Sequence, residues 1–383
     1  MKVHTANRLV GLDEYYFSKK LEQIRQLEVK GFDVINLGIG SPDLPPHPAV
    51  IEVLQEASEN PNNHAYQSYR GLPVLRESIQ RFSEEQFHIK LDATKEILPL
   101  MGSKEGITHI SLAFLDKGDQ VLIPSLGYPT YTSVTKMVEA EPVYYPLAAD
   151  RSWEPDWDFL ERLETSKVKL LWINYPHMPT GSTGKEEIFE RFVDFARRRQ
   201  LLLCHDNPYS FVLNDSPQSI FQFDRDKEVS LELNSLSKSF NMAGWRVGWL
   251  SANSANIQSV LKVKSNMDSG MFKPIQLAAA KALELDQSWF QSLNATYKKR
   301  REIVFKFLDQ LDLQYDDQNC SGMFVWAKVK EGLGEVFSDQ ILKEHHVFIT
   351  PGFIFGEQGG DYVRVSLCTP EDRLKEALQR ISQ

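Results

Sequence analysis

The feature that most constrains the fold of this chain is an alternation of short apolar runs with amphipathic stretches. Apolar runs of strand length lie at residues 121–124, 168–174, 201–206 and 229–235. Among the stretches between them, residues 185–199 carry apolar side chains at the spacing of one helix face. Apolar strands separated by helices indicate a mostly parallel sheet that is covered on both faces. We therefore predict an α/β fold for the middle of the chain.

The C-terminal third of the chain predicts a second, smaller domain. With 383 residues the chain is too long for one ordinary core, and the alternation weakens near residue 271. Beyond it come long helical stretches, two strand candidates (SGMFVWAKV and DYVRVSL) and a closing helix. We predict a large domain at residues 44–273 and a small α+β domain formed by residues 1–43 together with 274–383.

The net charge indicates which kinds of binding partner to expect, and the cysteines indicate the cellular compartment. Lys and Arg number 43 against 52 Asp and Glu, a net charge of −9, and no basic tract stands out. We therefore expect neither nucleic acid nor a membrane as a partner. The sequence has no apolar run of about 18 residues and no apolar core of a signal peptide. The cysteines, Cys204, Cys320 and Cys368, are scattered and odd in number, so we predict a cytoplasmic protein without a disulfide framework.

Two kinds of cofactor site are disfavoured. The nine histidines include the adjacent His345 and His346 but show no metal-binding spacing, so we expect no catalytic metal. The glycine-rich LGIG and GEQGG strings do not form the G-x-G-x-x-G that opens a helix after a strand. A nicotinamide-dependent dehydrogenase is therefore a poor candidate.

Polar residues follow the predicted strands, at the edge where parallel α/β sheets bind ligands. Lys238 comes directly after the run at 229–235, with Ser235 three residues before it and Arg246 eight residues after it. A lysine alone in such a position would be typical of a surface loop, but the combination is specific. Asp206 ends another apolar run. By itself it would fit a loop or helix-cap residue equally well.

Eight strings in order connect these residues to a known family. INLGIGSPD, AYQSYRGLPVLRE, GSKEG, PSLGYPTY, NYPHMPTG, DNPY, SLSKSFNMAGWRVG and YVRVSL span roughly residues 32–367. In them the chain resembles the pyridoxal-phosphate aminotransferases of the aspartate aminotransferase fold (class I/II, fold type I). The similarity is greatest to the branch with diaminopimelate, aromatic and alanine aminotransferases. It implies a PLP-dependent transferase fold with a large, mostly parallel-sheet α/β/α domain and a smaller α+β domain.

The resemblance assigns the chemistry to residues around the cofactor ring. Lys238 would form the Schiff base with pyridoxal phosphate and then move a proton as acid and base in turn. Asp206 would face the pyridine nitrogen, because an opposite charge favours the protonated ring, which is the better electron sink. Tyr209 would donate to the phenolic oxygen O3′, and Tyr128 would stack on the ring.

The same resemblance places the phosphate and the substrate. The phosphate would be held by a helix start and by added donors, namely Gly102, Ser103, Lys104, Ser235 and Arg246. Arg364 would grip the substrate's α-carboxylate, with the Gly40 backbone as a second contact. Tyr66 would reach the phosphate of the neighbouring subunit, which implies a homodimer with shared active sites.

One position departs from the family pattern. Where relatives usually carry an asparagine that donates to O3′, directly before P-T-G, this chain has Met178, and a thioether cannot donate. Asn174 or His177 could supply the missing bond, or Tyr209 could act alone. We include Asn174 among the predicted cofactor contacts.

We predict that the protein is an aminotransferase that moves an amino group from an L-amino acid to a 2-oxo acid. The alternatives are a PLP-dependent carbon–sulfur lyase or decarboxylase on the same fold, or a catalytically silent binding protein. The sequence does not identify the substrates. Tyr15, Tyr16 and Phe17 could line the side-chain pocket, but packing in the core is the favoured interpretation.

Overall fold

The computed structural model describes residues 3–9 and 16–382. Tyr15 and the side chain of Phe17 therefore lie outside the described part of the chain. The strands are β1 (Ile35–Asn36), β2 (Ile97–Leu100), β3 (Gln120–Pro124), β4 (Glu141–Tyr145), β5 (Leu147–Ala148), β6 (Glu154–Pro155), β7 (Val168–Asn174), β8 (Leu202–Asn207), β9 (Ser230–Ser235), β10 (Gly248–Ser251), β11 (Gln314–Tyr315), β12 (Phe324–Lys328), β13 (Val347–Phe348), β14 (Thr350–Pro351) and β15 (Tyr362–Ser366).

Helices occupy most of the sequence between these strands. The α-helices are α1 (Tyr16–Val29), α2 (Pro48–Glu59), α3 (Pro73–Phe87), α4 (Ser103–Phe114), α5 (Thr130–Met137), α6 (Trp157–Arg162), α7 (Glu186–Arg199), α8 (Leu236–Ser239), α9 (Ser254–Lys264), α10 (Lys273–Ala282), α11 (Gln287–Gln310), α12 (Gly334–His345) and α13 (Glu371–Ile381). Short 3-10 helices lie at Asn7–Leu9, Pro61–Asn63, Ala149–Arg151, Ile220–Gln222, Ala243–Trp245, Gly352–Phe355 and Glu357–Gly359. None of the described helices is both long and apolar enough to cross a bilayer.

A seven-stranded sheet forms the centre of the larger part of the molecule. Its strand order is β2-β10-β9-β8-β7-β3-β4, in which β10 runs antiparallel to both neighbours and the other pairs are parallel. The sheet is apolar on both faces because alternate residues enter separate cores. On β7, Leu170 and Trp172 join one core, whereas Leu171 and Ile173 join the other. This is the predicted α/β architecture, with helices on both faces of a mostly parallel sheet.

A four-stranded antiparallel sheet, β11-β12-β15-β14, lies in the C-terminal part. The N-terminal segment joins it, because β1 pairs in parallel with β13 and the Ser366 N–H donates to the Leu37 carbonyl at 2.7 Å. Helix α11 packs against α13 and β12. The molecule therefore consists of a large α/β part and a smaller α+β part, as predicted. The exact boundaries after residues 43 and 273 stay a prediction.

Candidate active site

The carboxyl ends of β7, β8 and β9 open into a cavity of about 570 Å³. The four-stranded sheet and the segment after β1 close its other side. Of the residues predicted from the sequence, the cavity is lined by Gly40, Ser103, Lys104, Tyr128, Asn174, Asp206, Tyr209, Ser235, Lys238, Arg246 and Arg364. They come from both the large and the small part of the molecule, so the cavity lies between the two.

Lys238 is presented by the short helix α8, which follows β9 directly. The Ser235 side chain caps this helix by accepting a hydrogen bond from the Ser237 N–H at 3.1 Å. The Lys238 amine donates to the Gly40 carbonyl at 2.7 Å. Burial lowers the pKa of Lys238, because a charged amine loses solvation in the cavity. The shift favours the neutral amine, which is the nucleophilic and basic form.

Asp206 lies at the carboxyl end of β8, in the wall of the cavity. Its hydrogen bonds and its burial determine its protonation state. Its Oδ2 accepts a hydrogen bond from the Tyr131 hydroxyl at 2.8 Å, whereas its buried Oδ1 has no hydrogen-bond partner among the described residues. Burial raises the pKa of Asp206 from 3.8 to about 6, and the Tyr131 hydroxyl acts against this rise. An orphaned carboxylate oxygen is costly unless a donor or a cation meets it. The site therefore calls for a cationic N–H group beside Asp206.

The start of α4 forms one end of the cavity. Gly102 caps the helix at a φ of 87°, in the left-handed region that favours glycine, and a Cβ there would collide with the Arg246 guanidinium. Gly248 is equally restricted, since a Cβ would lie 2.8 Å from the Ser103 amide nitrogen. Two glycines thus let Arg246 and β10 approach the first turn of α4. The N–H groups of a helix start, together with an arginine, suit an anion such as a phosphate.

Arg364 lies in the middle of the small sheet on β15, opposite Trp326 on one neighbour and Thr350 on the other. One nitrogen, Nη2, donates to the Gly38 carbonyl at 2.9 Å, and Nη1 lies 3.4 Å from the Met178 sulfur. The guanidinium carbon sits 3.8 Å from the centre of the Phe324 ring. These contacts hold the planar fork at the cavity, in a geometry that a carboxylate can meet.

The residues around Met178 narrow the choice of donor to O3′. Asn174 bonds the backbone at both ends of its amide, donating one N–H to the Asp206 carbonyl at 2.7 Å and accepting from the Met178 N–H at 2.9 Å, so one N–H of Nδ2 is left as a donor. His177 lies with Nδ1 at 2.8 Å from the Thr180 hydroxyl and Nε2 at 3.1 Å from the Leu126 carbonyl. Burial lowers the pKa of His177 to about 4, so the ring is neutral and both nitrogens are used. His177 is therefore not available to the cavity.

Tyr209 is a further hydrogen-bond donor in the wall of the cavity that Met178 also lines. It lines the cavity with its ring edge-on to Phe324, at 6.0 Å between centroids. Burial raises its pKa, so the hydroxyl stays protonated and can donate.

Two predicted residues lie outside this cavity lining. Gly102 stands just behind it, as the cap of α4. Tyr66 is 90% exposed and is not among the residues that line the cavity, and its contact with a neighbouring subunit stays a prediction. Tyr16 packs edge-on against Phe353 at 5.3 Å, in line with the favoured packing role.

Several lining residues were missed from the sequence, namely Leu21, Tyr131, Ser237, Phe324 and Phe355. Tyr131 is the most important because it bonds Asp206, and its ring stacks on Trp172 at 5.0 Å. Its only sequence signal was its place three residues after Tyr128 in the same string. Ser237 stands next to Lys238, while the aromatic residues come from distant segments.

Comparisons with known proteins cover nearly the whole chain. A family model described as aminotransferase class I and II matches residues 33–381. The LL-diaminopimelate aminotransferase of Halothermothrix orenii is 37% identical over 382 residues, covering 99% of this chain and 98% of that protein. The LL-diaminopimelate aminotransferase of Maridesulfovibrio salexigens is 38% identical over 382 residues, with 99% and 98% covered.

Solved structures of similar chains share the same architecture. Substrate-bound BacF from Bacillus subtilis has a TM-score of 0.93 at 33% identity, covering 100% of this chain and 97% of that chain. An aromatic aminotransferase from Pyrococcus horikoshii has a TM-score of 0.86 at 31% identity, with 93% and 96% covered. The similarity therefore extends over both parts of the fold and over the cavity between them.

Proposed function

The chain belongs to the aminotransferase class I and II family and is a pyridoxal-phosphate-dependent aminotransferase, and we propose that LL-diaminopimelate is its amino-group donor. Whole-length relatives that carry this substrate in their names support the proposal. Their names also favour amino-group transfer over the carbon–sulfur lyase, the decarboxylase and the silent binding protein.

The main support for the position of the cofactor is Asp206 Oδ1, which is buried and has no hydrogen-bond partner among the described residues. A protonated pyridine nitrogen is the cationic N–H group that this oxygen lacks, and the start of α4 with Arg246 suits the phosphate at the other end. Ser103, Lys104, Ser235 and Gly102 belong to the same phosphate end, and Tyr128 is our candidate for stacking on the ring. When bound, the cofactor supplies the electron sink that makes the substrate's α-proton removable.

Lys238 is the proposed site of covalent attachment and the proposed base. Its neutral form is favoured by burial, so the amine would be able to accept a proton from the Cα of a substrate held in the cavity. Arg364 and the Gly40 backbone would fix the α-carboxylate on the small-domain side. Held there, the substrate presents its Cα–H bond to the lysine, which is the orientation that proton transfer requires.

An aromatic amino acid is the second candidate donor. The rings of Tyr128, Phe324 and Phe355 line the cavity and would pack against an aromatic side chain. A half-reaction screen separates the two, with conversion of the cofactor to its amine form read by absorption. LL-diaminopimelate should react fastest, ahead of meso-diaminopimelate as a stereochemical control and of phenylalanine, tyrosine, glutamate and alanine. Faster reaction with phenylalanine or tyrosine would replace the first proposal by the second.

We further propose a cytoplasmic homodimer with shared active sites. Tyr66 is the residue that would cross to the neighbour, and it lies near other exposed apolar groups. Its segment packs on residues 270–272 through the His64 and Phe272 rings, and Phe272 and Tyr69 are 39% and 44% exposed. Exposed apolar surface of this kind is typical of subunit interfaces. Buried free thiols at Cys204, Cys320 and Cys368 support a reducing compartment.

A further inference from the structure

A buried histidine stands next to Asp206 and has no place in the chemistry of the cavity itself. His205 on β8 has no exposed surface. Its Nδ1 lies 2.9 Å from Glu232 Oε2, and its Nε2 lies 3.0 Å from the Tyr175 carbonyl oxygen. A carbonyl oxygen can only accept a hydrogen bond, so Nε2 must carry a proton. The state of the other nitrogen then depends on Glu232.

Glu232 is held by the backbone as well as by its contact with His205. Its Oε2 accepts a second hydrogen bond from the Ile220 N–H at 2.8 Å, and the residue lies beside His205 in the register of β8 and β9. An oxygen that already accepts from a backbone amide is better suited to accept from Nδ1 than to donate to it. With Nδ1 as the donor to Glu232, His205 would carry a proton on both nitrogens, and the two residues would form a buried ion pair.

This ion pair is coupled to Asp206 through the backbone. The Nε2 bond to the Tyr175 carbonyl ties β8 to the residue that follows β7. The Asn174 amide makes a second tie, to the Asp206 carbonyl at 2.7 Å. The side chains of His205 and Asn174 thus fasten the end of β7 to the end of β8, where Asp206 stands.

The ion pair is also coupled to Asp206 electrostatically. Burial raises the pKa of Asp206, and the charge of His205 acts in the opposite direction. The other titratable groups that bear on Asp206 are the phenol of Tyr131, which donates to it, and the phenol of Tyr209. Beside His205 the titratable group is Glu232, and the apolar Phe189 ring lies 5.4 Å away. Of these groups, His205 is the one that can carry a positive charge.

We propose that His205, as an imidazolium paired with Glu232, is a positioning residue that fixes the end of β8 and favours the ionised Asp206 carboxylate. The inference rests on the proposed role of Asp206 beside the cofactor ring. According to this proposal, the protonation state of His205 and Glu232, which are buried beside Asp206 outside the cavity, affects the reaction.

The decisive variant is Glu232→Gln in the holoenzyme. The amide has nearly the same shape as the carboxylate but no negative charge, so the imidazolium loses its counter-ion and His205 becomes neutral. Asp206 then protonates more easily, and we expect the acidic limb of the kcat/KM profile to move up by about half to one pH unit. Asp224→Asn is the matched control, because Asp224 is another buried carboxylate, placed before β9 and bonded to Arg197 and Val229. It should lower stability and leave the limb in place.

A second measurement observes His205 directly. In nitrogen NMR spectra of histidine-labelled holoenzyme, assigned with His205→Gln, both ring nitrogens should be protonated near neutral pH in the wild type and only Nε2 in Glu232→Gln. A single protonated nitrogen in the wild type overturns the proposal, and so does an unmoved acidic limb in folded Glu232→Gln. If Glu232→Gln does not fold, the wild-type spectrum decides. Failure of the Asp206 role itself is recognised separately, by unchanged kcat/KM in Asp206→Ala.

Discussion

The Tyr131 hydroxyl donates to Asp206 Oδ2 at 2.8 Å, and this bond leaves Oδ1 as the oxygen that a cofactor can use. Tyr131 is fully buried and stacked on Trp172, so the carboxylate is held on one side by a rigid partner. The arrangement places a desolvated acid beside a cavity. Such a group costs stability until a cation meets it.

Asp206→Asn should stabilise the cofactor-free protein at alkaline pH. Burial raises the pKa of Asp206 from 3.8 to about 6, so the folded state binds this proton more tightly than the unfolded state. The favourable contribution of the Asp206 carboxyl to the free energy of unfolding is therefore fully present below its pKa in the unfolded state. This contribution is lost as the pH rises through its pKa in the folded state. At pH 8 the gain should be on the order of 2–3 kcal/mol in the free energy of unfolding, and near pH 4 it should vanish.

Denaturant unfolding at both pH values measures this difference. The exposed Asp150 provides the control, because Asp150→Asn should have a similarly small effect on the free energy of unfolding at both pH values. Equal stability of wild type and Asp206→Asn at pH 8 would mean that the carboxylate keeps its solvation in the folded protein.

Arg364→Ala should raise KM strongly and leave the visible absorption band of the resting holoenzyme unchanged. The variant loses a charged, bidentate contact to the substrate's carboxylate. The fall in kcat/KM should correspond to a loss of about 2–5 kcal/mol of transition-state stabilisation. Steady-state kinetics with several good amino-acid substrates measure the effect. Arg373→Ala, which removes an ion pair with Asp33 on the surface, should behave like the wild type. An unchanged KM in Arg364→Ala would move the carboxylate site elsewhere.

Mixing two inactive variants tests the shared site. Tyr66→Ala and Lys238→Ala should each be inactive, yet refolding them together should restore part of the activity. A heterodimer of the two can assemble one site that carries neither lesion, provided that Tyr66 serves the neighbouring subunit. Activity after co-refolding, compared with each variant refolded alone, is the readout. If heterodimers form and no activity returns, the sites are not shared.

Met178→Asn should move the pH dependence of the holoenzyme's visible band to lower pH while the enzyme stays active. Asparagine adds a donor toward the cofactor's phenolic oxygen, and a hydrogen bond to a charged oxygen contributes roughly 1.5–3 kcal/mol. Met178→Leu controls for the lost sulfur contact with Arg364, since it adds no donor. An unmoved titration would mean that Tyr209, Asn174 or water already satisfies the oxygen.

The polar side chains at the strand ends could be predicted from the sequence because the strands are parallel. Lys238 and Asp206 each follow an apolar run, and parallel strands bring such ends to one edge. The chain order of the motifs then identified the family, and through it Arg364 from a distant segment. Sequence spacing therefore predicted four of the seven strands, β3, β7, β8 and β9, and the edge at which the cavity opens, but not β2, β4 or β10.

The remaining contacts depend on tertiary packing. Tyr131 looks like an ordinary helix residue, and only the fold shows that its hydroxyl meets Asp206. His205 looks like one more residue of an apolar strand, and its contact with Glu232 crosses from β8 to β9. Phe324 and Phe355 reach the cavity from the small sheet and the segment before β15. Such contacts join residues far apart in the chain, so no local pattern predicts them.

The most direct test of the central claim is to locate the covalent attachment of the cofactor. Borohydride reduction of the holoenzyme followed by peptide mapping should place the pyridoxyl group on Lys238, in the peptide that contains SLSKSFNMAGWR. Lys238→Ala should remain folded, bind the cofactor weakly and retain no label. A pyridoxyl group on any other lysine would contradict the assignment of the whole site.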